Sequence, residues 1–243
     1  MKRIIVSLLL IASCAFAQNQ TSSSSDPSYH TRRGFYFNAN LGIIYTSTTM
    51  ETTDTYENYT YEEMNNFSGF IPHDEIRLGL SIANIFSIYA ALGFSYGTGS
   101  YEDKQKNTGD KYEEYTFQEA ESHNDDIRFL FGLGGEFYPI QDKEKSFYGL
   151  FVGITAGFVI DNIYHTDHSF DDIYKDEIIG LPIGNFIFRF EVGRDWWFSK
   201  RWSFGVALNY TIGFMEEEYS YTKYEEEISE SSHTIGLAVR MTH

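Results

Sequence analysis

The chain of 243 residues contains a single cysteine, Cys14, which lies near the N-terminus and ahead of the patterned part of the sequence. Disulfides and thiol chemistry are therefore excluded from that part. Basic residues are also scarce. Lys and Arg number 18 against 35 Asp and Glu, for a formal net charge of −17. A protein this acidic does not bind nucleic acid through its phosphates. After residue 17 there is no apolar run near the roughly 20 residues that a membrane-crossing helix requires. Also missing are a His-Glu-x-x-His pair and a Walker loop. The few His and Ser lie mostly in connections, without the oriented partner that a nucleophile or general base needs. No catalytic residues and no cofactor are expected.

The first residues carry a recognisable order. Lys2 and Arg3 are basic, Ile4 to Ala12 is apolar apart from Ser7, and Ala15-Phe16-Ala17 places small residues where a signal peptidase reads. This is the layout of a secretory signal peptide over residues 1–17, with cleavage expected before Gln18. Ile11-Ala12-Ser13-Cys14 also resembles a lipobox, which would make Cys14 an acylated first residue. Residues 18–33, with four consecutive serines at Ser22 to Ser25, read as a polar linker.

From Gly34 to the end one pattern repeats. Apolar residues alternate with small or polar ones over eight stretches, about Gly34–Thr46, Glu75–Ala83, Ser87–Gly97, Asp126–Tyr138, Phe147–Asp161, Asn185–Arg194, Trp202–Gly213 and His233–Thr242. Period two gives each strand one apolar face. These lengths suit a tilted membrane-crossing strand of about 9–11 residues better than a globular strand of about 5–6. The connections alternate in size. Residues 47–74, 98–125, 162–184 and 214–232 read as long loops, whereas 84–86, 139–146 and 195–201 read as short turns. Long connections at one end and short ones at the other are the layout of an outer-membrane barrel.

The second face decides between a membrane barrel and a soluble lipocalin-like barrel. It carries Gly42, Gly79, Gly93, Gly132, Gly134, Gly153, Gly205 and Gly236, with Ala91, Ala207 and Ala238. Glycine is poor on an exposed strand and suits a narrow interior. The charges on this face are mixed in sign: Arg77, Arg128, Glu136, Arg189, Glu191 and Arg240, joined by Asn38, Asn40 and Asn209. Buried charges must be paired, so these predict an interior polar network. The reading is an all-β, eight-stranded antiparallel up-and-down transmembrane barrel over residues 34–243. Trp196, Trp197 and Trp202 flank one short turn, as membrane-interface aromatics do.

The segment from Glu191 to Leu208, with Trp196-Trp197, a short turn and the return strand Trp202-Ser203-Phe204-Gly205-Val206-Ala207-Leu208, resembles a strand–turn–strand unit of the eight-stranded outer-membrane β-barrel families. The resemblance covers most of the chain after Gly34. It implies a bacterial outer-membrane location, outer-membrane lipid as a partner, and no particular activity. Such barrels commonly end in an aromatic residue; here Arg240-Met241-Thr242-His243 stands in that place.

The long connections hold most of the acid, and their combined negative charge exceeds the chain's net −17. Glu216 to Glu218 and Glu225 to Glu227 lie beside Tyr219, Tyr221 and Tyr224. Clustered carboxylates are hard ligands for Ca²⁺ or Mg²⁺, but no loop has EF-hand spacing, and charge runs are usually solvated. His165 and His168, near Asp167, Asp171 and Asp172, form a second, weaker metal pattern. Tyr56, Tyr59, Tyr61, Tyr101, Tyr112 and Tyr115 suit either loop packing or contact with an extracellular glycan or protein. A structural or surface-interaction role comes first; a narrow porin-like channel and a lipid-modifying barrel enzyme are the alternatives.

Overall fold

Alternation of period two becomes eight strands in the computed structural model: β1 (Gly34–Tyr56), β2 (Tyr59–Ile82), β3 (Phe86–Gly109), β4 (Tyr112–Phe137), β5 (Leu150–His165), β6 (Ile178–Trp197), β7 (Ser203–Tyr221) and β8 (Tyr224–Thr242). The structure describes residues 34–56, 59–82, 85–109, 112–140, 145–165, 178–199, 201–221 and 224–243. The expected signal peptide and linker lie outside them. Each strand pairs antiparallel with its neighbour in sequence, and β1 pairs with β8, so the sheet closes into an up-and-down ring. Closure removes every free edge from the membrane-facing part, which lipid demands because it offers no hydrogen bonds to unpaired backbone.

The outward faces are apolar. Along β1 they run Phe35, Phe37, Ala39, Leu41, Ile43 and Tyr45, a height that matches a tilted crossing strand. Leu133 is 72% exposed and Phe70 68%, whereas Arg77 and Arg240 are each 1% exposed. A soluble barrel has the opposite arrangement. The apolar belt also packs within itself: Phe186 lies edge-on to Phe158, Phe188 and Phe214, with ring centroids 5.4, 5.0 and 5.7 Å away.

The long connections are a correction. Residues 47–74, 98–125 and 214–232, read above as loops, are mostly strand. The β1–β2 ladder runs unbroken from Gly34↔Ser81 to Tyr56↔Tyr59, and the β7–β8 ladder reaches Tyr221↔Tyr224. Past the belt the outward face meets water, so the apolar alternation stops while Thr, Tyr and Phe still favour extended backbone. Of the fourth long connection, residues 166–177 lie outside the described residues. Among the described residues, β4 pairs with β5 only from Asn124, and β7 pairs with β6 only as far as Phe214. Among the described residues the wall beyond the belt is carried by six strands, ordered β4-β3-β2-β1-β8-β7.

At the opposite end, here termed inner, the turns are short. The fifth strand begins at Leu150 rather than Phe147, because residues 145–149 form a turn in which Tyr148 N donates to Lys145 O at 3.0 Å and Leu150 N to Phe147 O at 3.1 Å. Gly149 has φ +85°, and a Cβ there would collide with the carbonyl oxygen of Asp195, whose own N–H donates to Gly149 O at 2.9 Å. Only glycine meets both conditions. Gly149→Ala is expected to cost about 1–3 kcal/mol, read as a lower urea midpoint for unfolding of the lipid-reconstituted barrel, with the unfolded band distinguished by its gel mobility before boiling.

Candidate functional site: the charged interior

Inward positions on β2, β4, β6 and β8 place three arginines and four carboxylates at one level of the lumen. Arg77 on β2 and Glu191 on β6 form a two-pronged ion pair: Nη1 donates to Oε1 at 2.9 Å and Nη2 to Oε2 at 2.7 Å. In a ring of eight, β2 and β6 are diametrically opposite. The pair therefore spans the lumen. Two more pairs do the same: Arg189 on β6 reaches Glu75 on β2, and Arg240 on β8 reaches Glu136 on β4 at 2.9 Å. Side links knit these together. Arg77 donates to Glu75 at 2.5 Å and Glu136 at 2.7 Å, and Arg240 reaches Glu191 at 2.9 Å and Asp195 at 3.2 Å. Asn40 Nδ2 donates to Glu75 at 3.2 Å and Tyr138 Oη to Glu136 at 2.6 Å. Planar guanidinium groups make this geometry possible, since each offers a fork of donors to several carboxylates.

Packing closes what the ions leave open. On the inner side Tyr138, Phe151 and Ala207 cluster, with Arg240 lying over the Phe151 ring at 4.0 Å from its centroid. Tyr36 stacks on Tyr89 at 5.7 Å, and Arg77 lies over Tyr89 at 4.9 Å. Towards the outer side Ile44, Phe67, Ile71 and Tyr101 form another buried cluster. An eight-stranded ring is about as wide as side chains can fill.

The sequence-predicted interior residues do not all meet. Arg77, Glu136, Arg189, Glu191 and Arg240 share the central network. Asn209 is buried beside Glu191 in register, with its amide against Gly236. Asn38 lies 2.6 Å from the Thr242 hydroxyl. Arg128 stands apart, near the outer mouth, bonded to Asp126 at 2.5 Å and to Thr48 at 3.2 Å. Sequence reasoning missed Glu75 and Asp195 in the central network and Asp126, Asp161 and Glu230 near Arg128. Continuing the inward phase by one step, from 77 to 75, from 128 to 126, from 159 to 161 or from 193 to 195, would have found all but Glu230, which lies two steps beyond Thr234.

One missed group has the residue types of a nucleophile relay. His73 Nδ1 lies 2.8 Å from Ser95 Oγ, and its Nε2 lies 3.7 Å from Glu75 Oε2. All three side chains are buried within the ring, and Glu75 is already engaged by Arg77, Arg189 and Asn40. Among the described residues no group of three His, Cys, Asp or Glu is placed to hold a metal ion. The His165–His168 pattern falls outside the described side chains.

Trp196 and Trp197 end β6 and Trp202 precedes β7, so all three ring the inner end. Arg194 lies over Trp196 at 5.4 Å, and Trp202 sits between Phe37 and His243, at 6.3 and 4.7 Å between ring centroids. His243 stands where an aromatic was expected. Its N–H donates to Phe37 O at 2.8 Å, extending the β1–β8 seam beyond Thr242.

A closed ring with lipid-type residues outside and paired charges inside decides the class. The fold is that of an eight-stranded outer-membrane β-barrel. No protein-family model matches the sequence, and no curated protein sequence matches it. Among solved structures the barrel is similar to the outer membrane protein OprG from Pseudomonas aeruginosa, at 8% identity over 88% of this chain and 99% of that one, with a TM-score of 0.40. It is similar to AlkL, solved in lipid bilayers, at 11% identity over 93% and 96% with a TM-score of 0.38. The outer membrane protease OmpT from Escherichia coli aligns at 9% identity over 88% and 99% with a TM-score of 0.33.

Removing one partner of a buried, forked ion pair leaves a charge without compensation. Arg77→Met is expected to destabilise the barrel by about 3–5 kcal/mol. The double change Arg77→Met with Glu191→Gln should cost less than the two single losses combined, by about 1–3 kcal/mol. Urea titrations of the four species in lipid test this, and simple additivity would dissolve the pair.

Proposed function

We propose that the protein is a sealed, non-enzymatic outer-membrane anchor whose acidic, tyrosine-bearing wall beyond the membrane is its working surface. The cross-lumen ion pairs carry this reading. Three guanidinium–carboxylate links join opposite walls at one level, and apolar layers lie on either side. An ion crossing the lumen would have to displace them without a water-filled path. Reconstituted in planar bilayers at high salt, the wild-type barrel is expected to show no stepwise conductance. Regular single-channel steps would favour the porin-like alternative instead.

The wall supports the second half of the reading. Asp54 faces Glu226, and Glu218 faces Glu227, directly across strand pairs. Like charges in these positions repel, and a cationic partner relieves the repulsion. Tyr61 donates to Glu63 at 2.9 Å and Tyr219 to Glu217 at 2.5 Å, so aromatic rings stand beside the carboxylates. The matching partner is a protein with a basic surface. A glycan held on the tyrosines, or Ca²⁺ or Mg²⁺ bridging the carboxylates, would use the same wall. Vesicles carrying the barrel should retain a lysine-rich polypeptide at low salt and release it at about 1 M, where the screening length falls to about 3 Å. Changing Glu216 to Glu218 and Glu225 to Glu227 to Gln should abolish retention while leaving the fold intact. Retention that survives these changes would remove the wall from the function.

A further inference from the structure

The outer mouth of the lumen holds more negative charge than its one arginine balances. Asp126 on β4, Asp161 on β5 and Glu230 on β8 all point inward there, and each is at least nine-tenths buried. Arg128 is the sole cation among the described side chains of the cluster. Its Nε is taken by Asp126 at 2.5 Å, and the rest of its fork goes to Thr46 and Thr48 on β1. Asp161 Oδ1 is left 3.7 Å from that Nε, and neither oxygen of Asp161 accepts a hydrogen bond. Asp126 Oδ1 and Asn185 Oδ1 also lack a donor. Asn185 Nδ2 donates to Glu230. The other facing groups are neutral: Asn185 from β6, Met215 from β7, Met50 from β1 and Phe67 from β2, the last beneath Arg128 at 5.9 Å.

A carboxylate buried with no hydrogen-bond donor is costly while ionised. The described residues offer no set of carboxylates or imidazoles placed to share a metal ion. A proton is the remaining way to remove the charge, and it also turns a carboxyl oxygen into a donor that a neighbouring acceptor can use. Glu230 lies beyond the apolar belt, since its outward neighbours are Ser229 and Ser231. Burial, and after it the Asp161 charge, push Glu230 up to about 7.

We propose that the outer mouth is a proton-operated latch, in which protons taken from solvent by Glu230 and Asp161 hold the ends of β5, β6 and β8 together and their loss loosens them. This goes beyond the anchor reading and does not rest on it. The sign follows from linkage. A carboxyl whose folded-state value is raised binds its proton more tightly when folded. The stabilisation is therefore present in acid and is lost as pH rises from the ordinary carboxylate range through about 7.

Amide hydrogen exchange of the full chain in lipid bilayers tests it, with rates corrected for intrinsic pH dependence. Between pH 5 and pH 8.5, residues 228–234 of the wild type should lose protection by about tenfold or more, the factor that one unit of pKa represents. Residues 236–241 of the same strand should not change. Glu230→Gln mimics the protonated state and should be protected equally at both pH values, and Asp161→Asn should shift in the same direction. The latch is overturned if the wild type is equally protected at both pH values. It is also overturned if both variants keep the full pH response, or if millimolar Ca²⁺ restores protection at pH 8.5, which would make the mouth a metal site.

Discussion

Everything inside this barrel follows from one constraint: a charge enclosed by a narrow ring, with lipid outside, must find its counter-charge across the lumen. The ring is small enough for opposite walls to touch through side chains. Arginine makes the contact because its fork serves several carboxylates at once, as Arg77 serves Glu75, Glu136 and Glu191. The contact in turn dictates small neighbours. Glycines and alanines at Gly153, Gly205, Ala207 and Ala238 leave room for the long guanidinium chains. A Cβ at Gly205 would approach Arg240 Cγ to 3.0 Å.

Two ionic layers use this constraint differently. In the central layer three arginines meet four carboxylates, and the acceptors are shared so that Glu75, Glu136 and Glu191 each touch two guanidinium groups. At the outer mouth, among the described residues, a single arginine faces three carboxylates. The first arrangement is short of one positive charge, yet each of its carboxylates touches a guanidinium group. The second is deficient in positive charge and depends on what the solvent supplies. Beyond it stands the six-stranded wall, where the carboxylates are hydrated and repulsion costs little. Negative charge thus becomes less compensated from the inner layers outward, as access to water grows.

Much of this was legible in the residues. Period two and the glycine-rich face predict the strands, their number and which face turns inward. Arg77, Glu136, Glu191 and Arg240 lie in phase with that face and stand together in the central layer. Three things were hidden. The strands outrun the apolar alternation, so Thr48, Phe67 and Tyr101 looked like loop residues although they point inward. Glu75, Asp126 and Asp161 are the end residues of their alternating stretches and Asp195 opens a short turn, so the charge pattern of the inward face stopped one step short of them. Which arginine meets which carboxylate depends on strand register, and register separates Arg128 from the other three without any mark in its own neighbourhood.

The closing of the ring has a consequence for the order of folding. β1 must find β8 across nearly the whole described chain, and Arg77 reaches a partner 114 residues away. Contacts this distant in sequence form slowly, because loop closure precedes their reward. No cross-lumen pair can exist until the opposite walls stand in place. Where closing the ring limits the rate, the ionic layer assembles after that step, and interactions absent from a transition state act on escape rather than entry. In kinetic terms the charges do little to hurry the barrel into being. They make it slow to come apart.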